Sequence, residues 1–410
     1  MTKTDNRERG KQPNVFKHEF SGAVRASVTI AIATITWACT AAPPPLDSAA
    51  RLDTIVPELL AAEKAAGVGI AIIDDGRVVW SGYYGEQAPG VPVTRETAFN
   101  TASVAKTITA ETLLALDQAE QIDLDEPIAR YVDEPDLGSD PRYALLTSRL
   151  LLAHRAGLLN WAYQYADGRL AFDHDPDTRF SYSGAGVELA ARYAEQKTAR
   201  DLEQLAFAYV LEPLGITEMA LGDIPAWAEQ RLATPMDSNG EFRSVAELNA
   251  RLANSDIDEL GAADDLVTTV PAYATLIAAL ARGEGTLKER AYRETVITSQ
   301  RGDPVYNCPS MPGLVCPDEY GHAIGWQVAR YGGHRVVSHS GSDAGENAFV
   351  YYSPDQRHGA VIFVNGANGW ILMARIIEAI GDEPLLADYY RALIQNVMGR
   401  SMPPADWSSE

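Results

Sequence analysis

AIGWQVARYGGHRVVSHSGSDAGENAFVYYSPDQRHGAVIFVNG, residues 323–366, contains four short β-rich runs divided by Gly, Asp and Pro. Gly332-Gly333 and Pro354-Asp355 read as turns. The spacing predicts an antiparallel meander over 324–365. The matching stretch lies near the other end of the chain: GIAIIDDGRVVWSGYYGE, residues 69–86, has two β-rich runs flanking Asp75-Gly76. An Asp-Gly pair between such runs is a strong hairpin signal. Between the two stretches the chain reads as helices joined by turns and loops, with no further β-rich run. Strands at both ends and helices in the middle predict an α/β fold of the α+β type. One antiparallel sheet is built from both chain ends and flanked by helices, with a large all-helical insertion over about 103–320.

Further out, residues 51–66 read as a helix and 39–50, with its run of three prolines, as a linker. Residues 1–38 carry Arg7, Arg9, Lys11, Lys17 and Arg25, then the uncharged apolar run 26–38. That run is too short to span a bilayer comfortably and suits an export signal. Ala38-Cys39 ahead of a Pro-rich linker resembles a bacterial lipoprotein cleavage site. Cys39 is then lipidated; the other readings of the segment are ordinary signal cleavage or an uncleaved anchor. The expected location is the periplasm or cell envelope. Residues 370–398 are helical, and 399–410 read as a flexible tail.

The 410 residues carry a formal net charge of −22 and are 46% hydrophobic. Such acidity repels nucleic acid and anionic membrane surfaces, so neither is an expected partner. A small-molecule or peptide substrate is, and the sequence leaves the oligomeric state open. Cys308 and Cys316 lie in the Pro- and Gly-containing loop 306–320, where they either close a disulfide or remain free thiols. With no His beside them they make no zinc site. Asp173, Asp175 and Asp177 alternate, but the calcium-loop Gly and Glu positions are missing, so a solvated loop is expected. No metal and no cofactor are expected.

The chemistry begins in TASVAKTITAETLLAL, residues 101–116. Ser103 and Lys106 stand at i and i+3 on one helical face, with uncharged neighbours. A lysine amine held among them sheds hydration and becomes a better proton acceptor for the serine hydroxyl. Such a pair also arises by chance, so its companions decide. They are Tyr182 in Tyr-Ser-Gly, residues 182–184, and His339-Ser340-Gly341 on the meander. His154, in LLAHRAGL, reads as a structural histidine.

These three motifs, in this order, resemble the serine β-lactamase and penicillin-binding-protein superfamily, and most of all its class C branch, which includes esterases and D-amino-acid peptidases. The resemblance covers roughly 51–395. It implies Ser103 as acyl-forming nucleophile, Lys106 as the group that eases its deprotonation, and Tyr182 as proton relay. It further implies an oxyanion hole from the backbone N–H groups of Ser103 and Ser342, and substrate contacts along His339, Ser340, Gly341 and Ser342. Gly184 departs from the branch, standing where β-lactamases carry an asparagine. His339 stands where many carry lysine, and a histidine is mostly neutral near pH 7. The expectation is a serine hydrolase for an ester, a D-amino-acid peptide or a β-lactam, with β-lactam turnover the least supported. The alternatives are a β-lactamase proper or envelope D,D-carboxypeptidase, or a non-catalytic envelope binding protein on the same fold. An α/β-hydrolase is disfavoured because no Gly-x-Ser-x-Gly elbow occurs. Loops 161–179 and 284–320 are expected to frame the pocket.

Overall fold

Strand β1 (Gly67–Asp74) and strand β2 (Arg77–Ala88) form the expected hairpin. Its two turn residues, Asp75 and Gly76, both have positive φ, at 45° and 67°. That is the mirror-image turn that suits the right-handed twist of a hairpin. The computed structural model describes residues 46–244, 261–298 and 314–405. Helix α1 (Leu46–Glu63) precedes β1 and starts inside the stretch expected to be linker. After β2 come β3 (Val91–Pro92) and β4 (Ala98–Asn100).

The middle of the chain runs through α2 (Ala105–Gln118), α3 (Ser148–Leu152), α4 (Gly184–Thr198) and α5 (Leu202–Ala206). Two short strands follow, β5 (Met219–Leu221) and β6 (Leu266–Thr269), then α6 (Val270–Ala281) and α7 (Leu287–Glu294). The all-helical expectation therefore needs correction. Strands β4, β6 and β5 pair into a small antiparallel sheet beside the helices. Strands of three or four residues are too short to show alternation in a sequence.

The expected meander holds its four strands, β8 (Gln327–Tyr331), β9 (His334–Asp343), β10 (Glu346–Ser353) and β11 (His358–Val364), and a further strand, β7 (Glu319–His322), precedes it. β11 pairs with β1, Val68 opposite Val364 through Ile73 opposite Gly359, which joins the two chain ends. The result is one antiparallel sheet in the order β3-β2-β1-β11-β10-β9-β8-β7.

Helices α8 (Gly369–Ile380) and α9 (Pro384–Met398) complete the chain. Alternation along β1 sorts its side chains onto two faces. Val68, Ile70 and Ile72 join Leu52, Val56, Ile376 and Ile377 under the terminal helices. Ala71 and Ile73 join Ile108, Val270, Tyr273 and Ile277 under the central helices. Covering both faces explains why β1 and β11 read as near-continuous apolar runs. The expected flexible tail is docked as far as it is described. Arg400 pairs with Glu63 at 2.6 Å, Met402 is buried, and the Ala405 N–H donates to Glu378 at 2.8 Å.

Helix α2 is buried nearly all round, yet it carries Lys106, Thr107, Thr109, Glu111 and Thr112 inside. Buried polar groups need partners, and these have them. Arg293 of α7 donates to both carboxylate oxygens of Glu111 at 2.9 and 2.8 Å, and the Trp326 indole N–H donates to it at 2.9 Å. Thr109 Oγ1 donates to the Ala262 carbonyl at 2.6 Å. These bonds fix the helix that begins at the Ser103 turn.

Candidate active site

The chain enters α2 through a strained turn. Ala102 has φ 47°, and the Asn100 side-chain carbonyl accepts its N–H at 3.2 Å. A left-handed alanine costs about 1–2 kcal/mol, and such strain persists only where the surroundings hold it. Ser103 follows in a single 3₁₀ turn, Ala102–Val104, ahead of α2. Lys106 is 1% exposed. Its Nζ donates to Ser103 Oγ at 2.9 Å and to the Ala263 carbonyl at 2.6 Å. The Ser103 hydroxyl in turn donates to Asp264 Oδ1 at 3.3 Å.

Tyr182 arrives from the start of α4. Ser183 caps that helix, accepting the Gly186 N–H at 2.9 Å and donating to the Leu159 carbonyl at 2.8 Å. Its own N–H goes to His154 Nδ1 at 3.1 Å. The Tyr182 ring lies 4.3 Å from the His154 ring, and Lys106 Nζ lies 5.1 Å from its centroid. Thus His154 is structural, as expected, but it holds the Tyr182–Ser183 backbone. Gly184 has a steric reason. A Cβ there would fall 2.5 Å from the Trp161 ring, and Lys106 Nζ is 5.8 Å from that ring's centroid. Trp161 occupies the space an asparagine would need.

The third motif lies on β9. Strand β8 pairs with β9 only from His334 to Ser338, whereas β10 pairs with it as far as Asp343. The segment 339–343 therefore has one edge without a strand among the described residues, and its face at Gly341 meets the Ser103 turn. A Cβ on Gly341 would lie 2.0 Å from the Thr101 carbonyl and 3.2 Å from the Ser103 nitrogen. Only glycine permits this approach. Ser342 is exposed and Ser340 half-buried, but His339 is 3% exposed with Nδ1 against its neighbour's carbonyl, Ser340 O, at 2.8 Å. Burial, reinforced by Lys106, pushes His339 down to about 3. His154 and His322, packed with it around Tyr182, lie well below the usual imidazole range for the same first reason.

Sequence reasoning missed the carboxylates opposite. Burial raises Asp264 to about 6, with Lys106 opposing the shift. Glu188 is raised to about 8 by burial, although its Oε1 accepts the Ala263 N–H at 2.8 Å. Its Oε2 is buried with no partner among the described residues. One signal was available: Glu188 is one turn beyond Gly184, on the same helical face. Asp264 had only the Asp264-Asp265 pair in an otherwise apolar stretch. Elsewhere, Cys316 is disulfide-bonded, while its expected partner Cys308, like Cys39, lies outside the described residues. Asp173 pairs with Arg179 at 2.6 Å and Asp175 with Arg142 at 3.5 Å. No cluster among the described residues could hold a metal ion. Among them, too, no helix is long and apolar enough to cross a membrane.

Chemically, a serine hydroxyl lies between an amine donor and a carboxylate acceptor, beside a strand edge with a phenol nearby. That is equipment for acyl transfer. The chain is 33% identical over 100 residues to the human mitochondrial serine beta-lactamase-like protein LACTB, a match spanning 24% of this chain and 18% of that protein. It is 28% identical over 202 residues to esterase EstB of Burkholderia gladioli, spanning 42% and 50%. Both matches therefore span half or less of the relative's length. The structure superimposes on D-amino acid amidase from Ochrobactrum anthropi SV3 with a TM-score of 0.63 and 20% identity, covering 82% of this chain and 100% of that one. At that identity the likeness establishes the fold alone. The model of the β-lactamase family matches residues 52–377, so the strained serine turn, the buried lysine and the two-ended sheet belong to a member of the β-lactamase family.

Proposed function

We propose that the protein is an exported serine hydrolase that forms an acyl-enzyme at Ser103 and acts on an ester or a D-amino-acid amide or peptide. The observation that carries this reading is Lys106 Nζ 2.9 Å from Ser103 Oγ, at a turn packed closely over Gly341 of β9. In this reading Lys106 lowers the cost of deprotonating Ser103. The Ser103 oxygen attacks the acyl carbon, and the carbonyl oxygen takes up charge against the N–H groups of Ser103 and Ser342. The phenol of Tyr182 passes a proton to the departing alcohol or amine. Water then releases the acyl group. Substrate lies along Ser340, Gly341 and Ser342, with His339 as a neutral wall behind them.

The charges around Ser103 favour an uncharged acyl substrate over a β-lactam. A β-lactam brings a carboxylate, and His339 is held neutral by burial. Asp264 beside the nucleophile and Asp343 on β9 add negative charge rather than balance it. The esterase and the amidase among the similar proteins are consistent with this choice. In the same reading residues 1–38 export the chain and Cys39 is its lipid anchor.

The test is to incubate the protein with a short-chain p-nitrophenyl ester and with a fluorescent penicillin, beside Ser103→Ala. Ester turnover that disappears in the variant is the expected result. Equal turnover by both proteins would remove Ser103 from the nucleophile role. Penicillin that labels Ser103 without release would point to peptidase chemistry rather than β-lactam hydrolysis.

A further inference from the structure

The Ser103 hydroxyl has a single proton to donate, and that proton is aimed at Asp264. Lys106 occupies the other side of the oxygen as a donor, at 2.9 Å, and spends a second proton on the Ala263 carbonyl at 2.6 Å. The acceptor for the serine proton is Asp264 Oδ1, at 3.3 Å. Its place is not an accident of a mobile loop. The turn 261–265 is anchored on both neighbouring helices. From α2, Thr109 Oγ1 donates to the Ala262 carbonyl at 2.6 Å and Lys106 to that of Ala263. From α4, Glu188 Oε1 accepts the Ala263 N–H at 2.8 Å. The Asp265 carbonyl accepts the Gly222 N–H at 2.9 Å, closing the turn from a third side.

We propose that Asp264 is a catalytic base of this site, taking the proton of Ser103 during acylation and that of water during deacylation. The proposal rests on Ser103 being the nucleophile. In the first half, the Ser103 Oγ–H bond breaks toward Asp264 Oδ1 as the Oγ–acyl bond forms. The carbonyl electron pair moves onto its oxygen. When that pair returns, the bond to the leaving alcohol breaks, the Tyr182 hydroxyl gives its proton to the alkoxide and regains one from solvent, and Asp264 releases its proton to solvent and is left ionised. In the second half, water gives its proton to Asp264 and its oxygen to the acyl carbon. Ser103 leaves with that proton, and the site is restored. No co-reactant beyond water is needed.

The chemistry of the surroundings suits the role. A base works best when its pKa lies near the working pH, and burial moves Asp264 up to about 6. Lys106 of α2 opposes the rise, while Asp343 of β9 and Asp265 of the same turn add to it. Tyr163 and the buried Glu346 of β10, itself raised well above the usual carboxylate range by burial, also sense Asp264. The carboxylate is therefore ionised at neutral pH but more basic than a solvated aspartate.

The test uses the full chain, a p-nitrophenyl ester, and the variants Asp264→Asn and Asp264→Glu, each with a melting curve. For Asp264→Asn, kcat falls by about 100-fold or more with KM within about threefold, and the acidic limb of kcat/KM near pH 6 vanishes. Asp264→Glu retains a limb, displaced in pH, because it retains a carboxylate. Asp264→Asn within about fivefold of the wild type, with its limb intact, overturns the proposal. So do two variants equally slow with an unmoved limb, which would mean a structural role. If Asp264→Asn does not fold, the limb of Asp264→Glu decides: displaced supports the proposal and unmoved overturns it. Activity lost in Ser103→Ala but kept in Asp264→Asn would leave the nucleophile standing and sink only the base.

Discussion

Ser103 stands between two buried walls of opposite chemistry. On one side are carboxylates, Asp264 and Glu188. On the other are imidazoles, His154, His322 and His339, packed around Tyr182. Burial does the same thing to both: it penalises the charged form. The shifts run in opposite directions because a carboxyl is charged when it has lost its proton and an imidazole when it has gained one. A carboxylic acid pushed up enters the working range, with Asp264 at about 6 and Glu188 at about 8. An imidazole pushed down leaves it, as His339 does at about 3. The lesson is that the pH response of this site belongs to its carboxylate wall, and the histidines near the tyrosine serve as neutral packing and hydrogen-bonding groups.

The largest effect is expected where the two walls meet. Lys106 bonds Ser103 and the Ala263 carbonyl on the carboxylate side and faces the Tyr182 ring on the other. Lys106→Met keeps the length of the side chain and removes the amine. Esterase kcat should fall by about 10³-fold or more. A variant within tenfold of the wild type would mean that the carboxylate wall activates the serine unaided.

Gly341→Ala comes next. Its methyl carbon would sit 2.0 Å from the Thr101 carbonyl, a backbone atom with nowhere to retreat. Either β9 or the serine turn must shift. Overpacking of this kind costs about 1–3 kcal/mol, and a displacement of about 1 Å at the reacting groups costs about 100-fold in rate. Melting and ester hydrolysis measured together should show both losses. A fully active variant would separate the β9 edge from the chemistry.

What could be read in advance follows from the range over which each feature acts. The Asp75-Gly76 hairpin, the turns at Gly332-Gly333 and Pro354-Asp355, and the Ser103–Lys106 spacing are local, and local geometry leaves a pattern in the sequence. The central β4-β6-β5 sheet does not, because strands of three or four residues alternate too briefly and their partners lie far along the chain, Phe99 opposite Thr268 and Ala220 opposite Val267. Gly184 looked like a missing contact until Trp161 proved to fill its space. Asp264 meets Ser103 across 161 residues of sequence, and Glu188 meets Ala263 across 75. Contacts of that separation leave no periodicity to detect. The acidic wall was therefore invisible, although each of its residues was in plain view.

Glu188→Gln tests that wall through stability. The ordinary glutamate value is 4.5 and the folded value about 8. Between these the folded protein holds a proton that the unfolded chain has released, so stability falls as pH rises through the window. Lys106 opposes the shift and Asp265 adds to it. A glutamine cannot titrate. The melting temperature of the wild type relative to Glu188→Gln should therefore decline between pH 5 and pH 8, by about 3 °C. A constant gap would mean that Glu188 is ionised in the fold at all these values.

The smallest effect is expected on the imidazole side, and it is an absence of change. Burial holds His154, His322 and His339 neutral, and Lys106 pushes all three further in that direction. Their ring C–H resonances should stay flat from pH 5 to pH 8. His358, at the far end of the sheet, gives the internal contrast. Burial lowers it, but its Nε2 lies 2.7 Å from Glu383 Oε1, and that carboxylate together with Asp382 and Asp74 outweighs burial and raises it. Its resonance should move within the same range. The contrast matters because burial opposes the charged imidazole at both places and the neighbouring charge differs: a lysine at one, carboxylates at the other. If any of the three wall histidines titrates in that range, burial is not holding it neutral, and the pH response of the Ser103 site no longer belongs to its carboxylates alone.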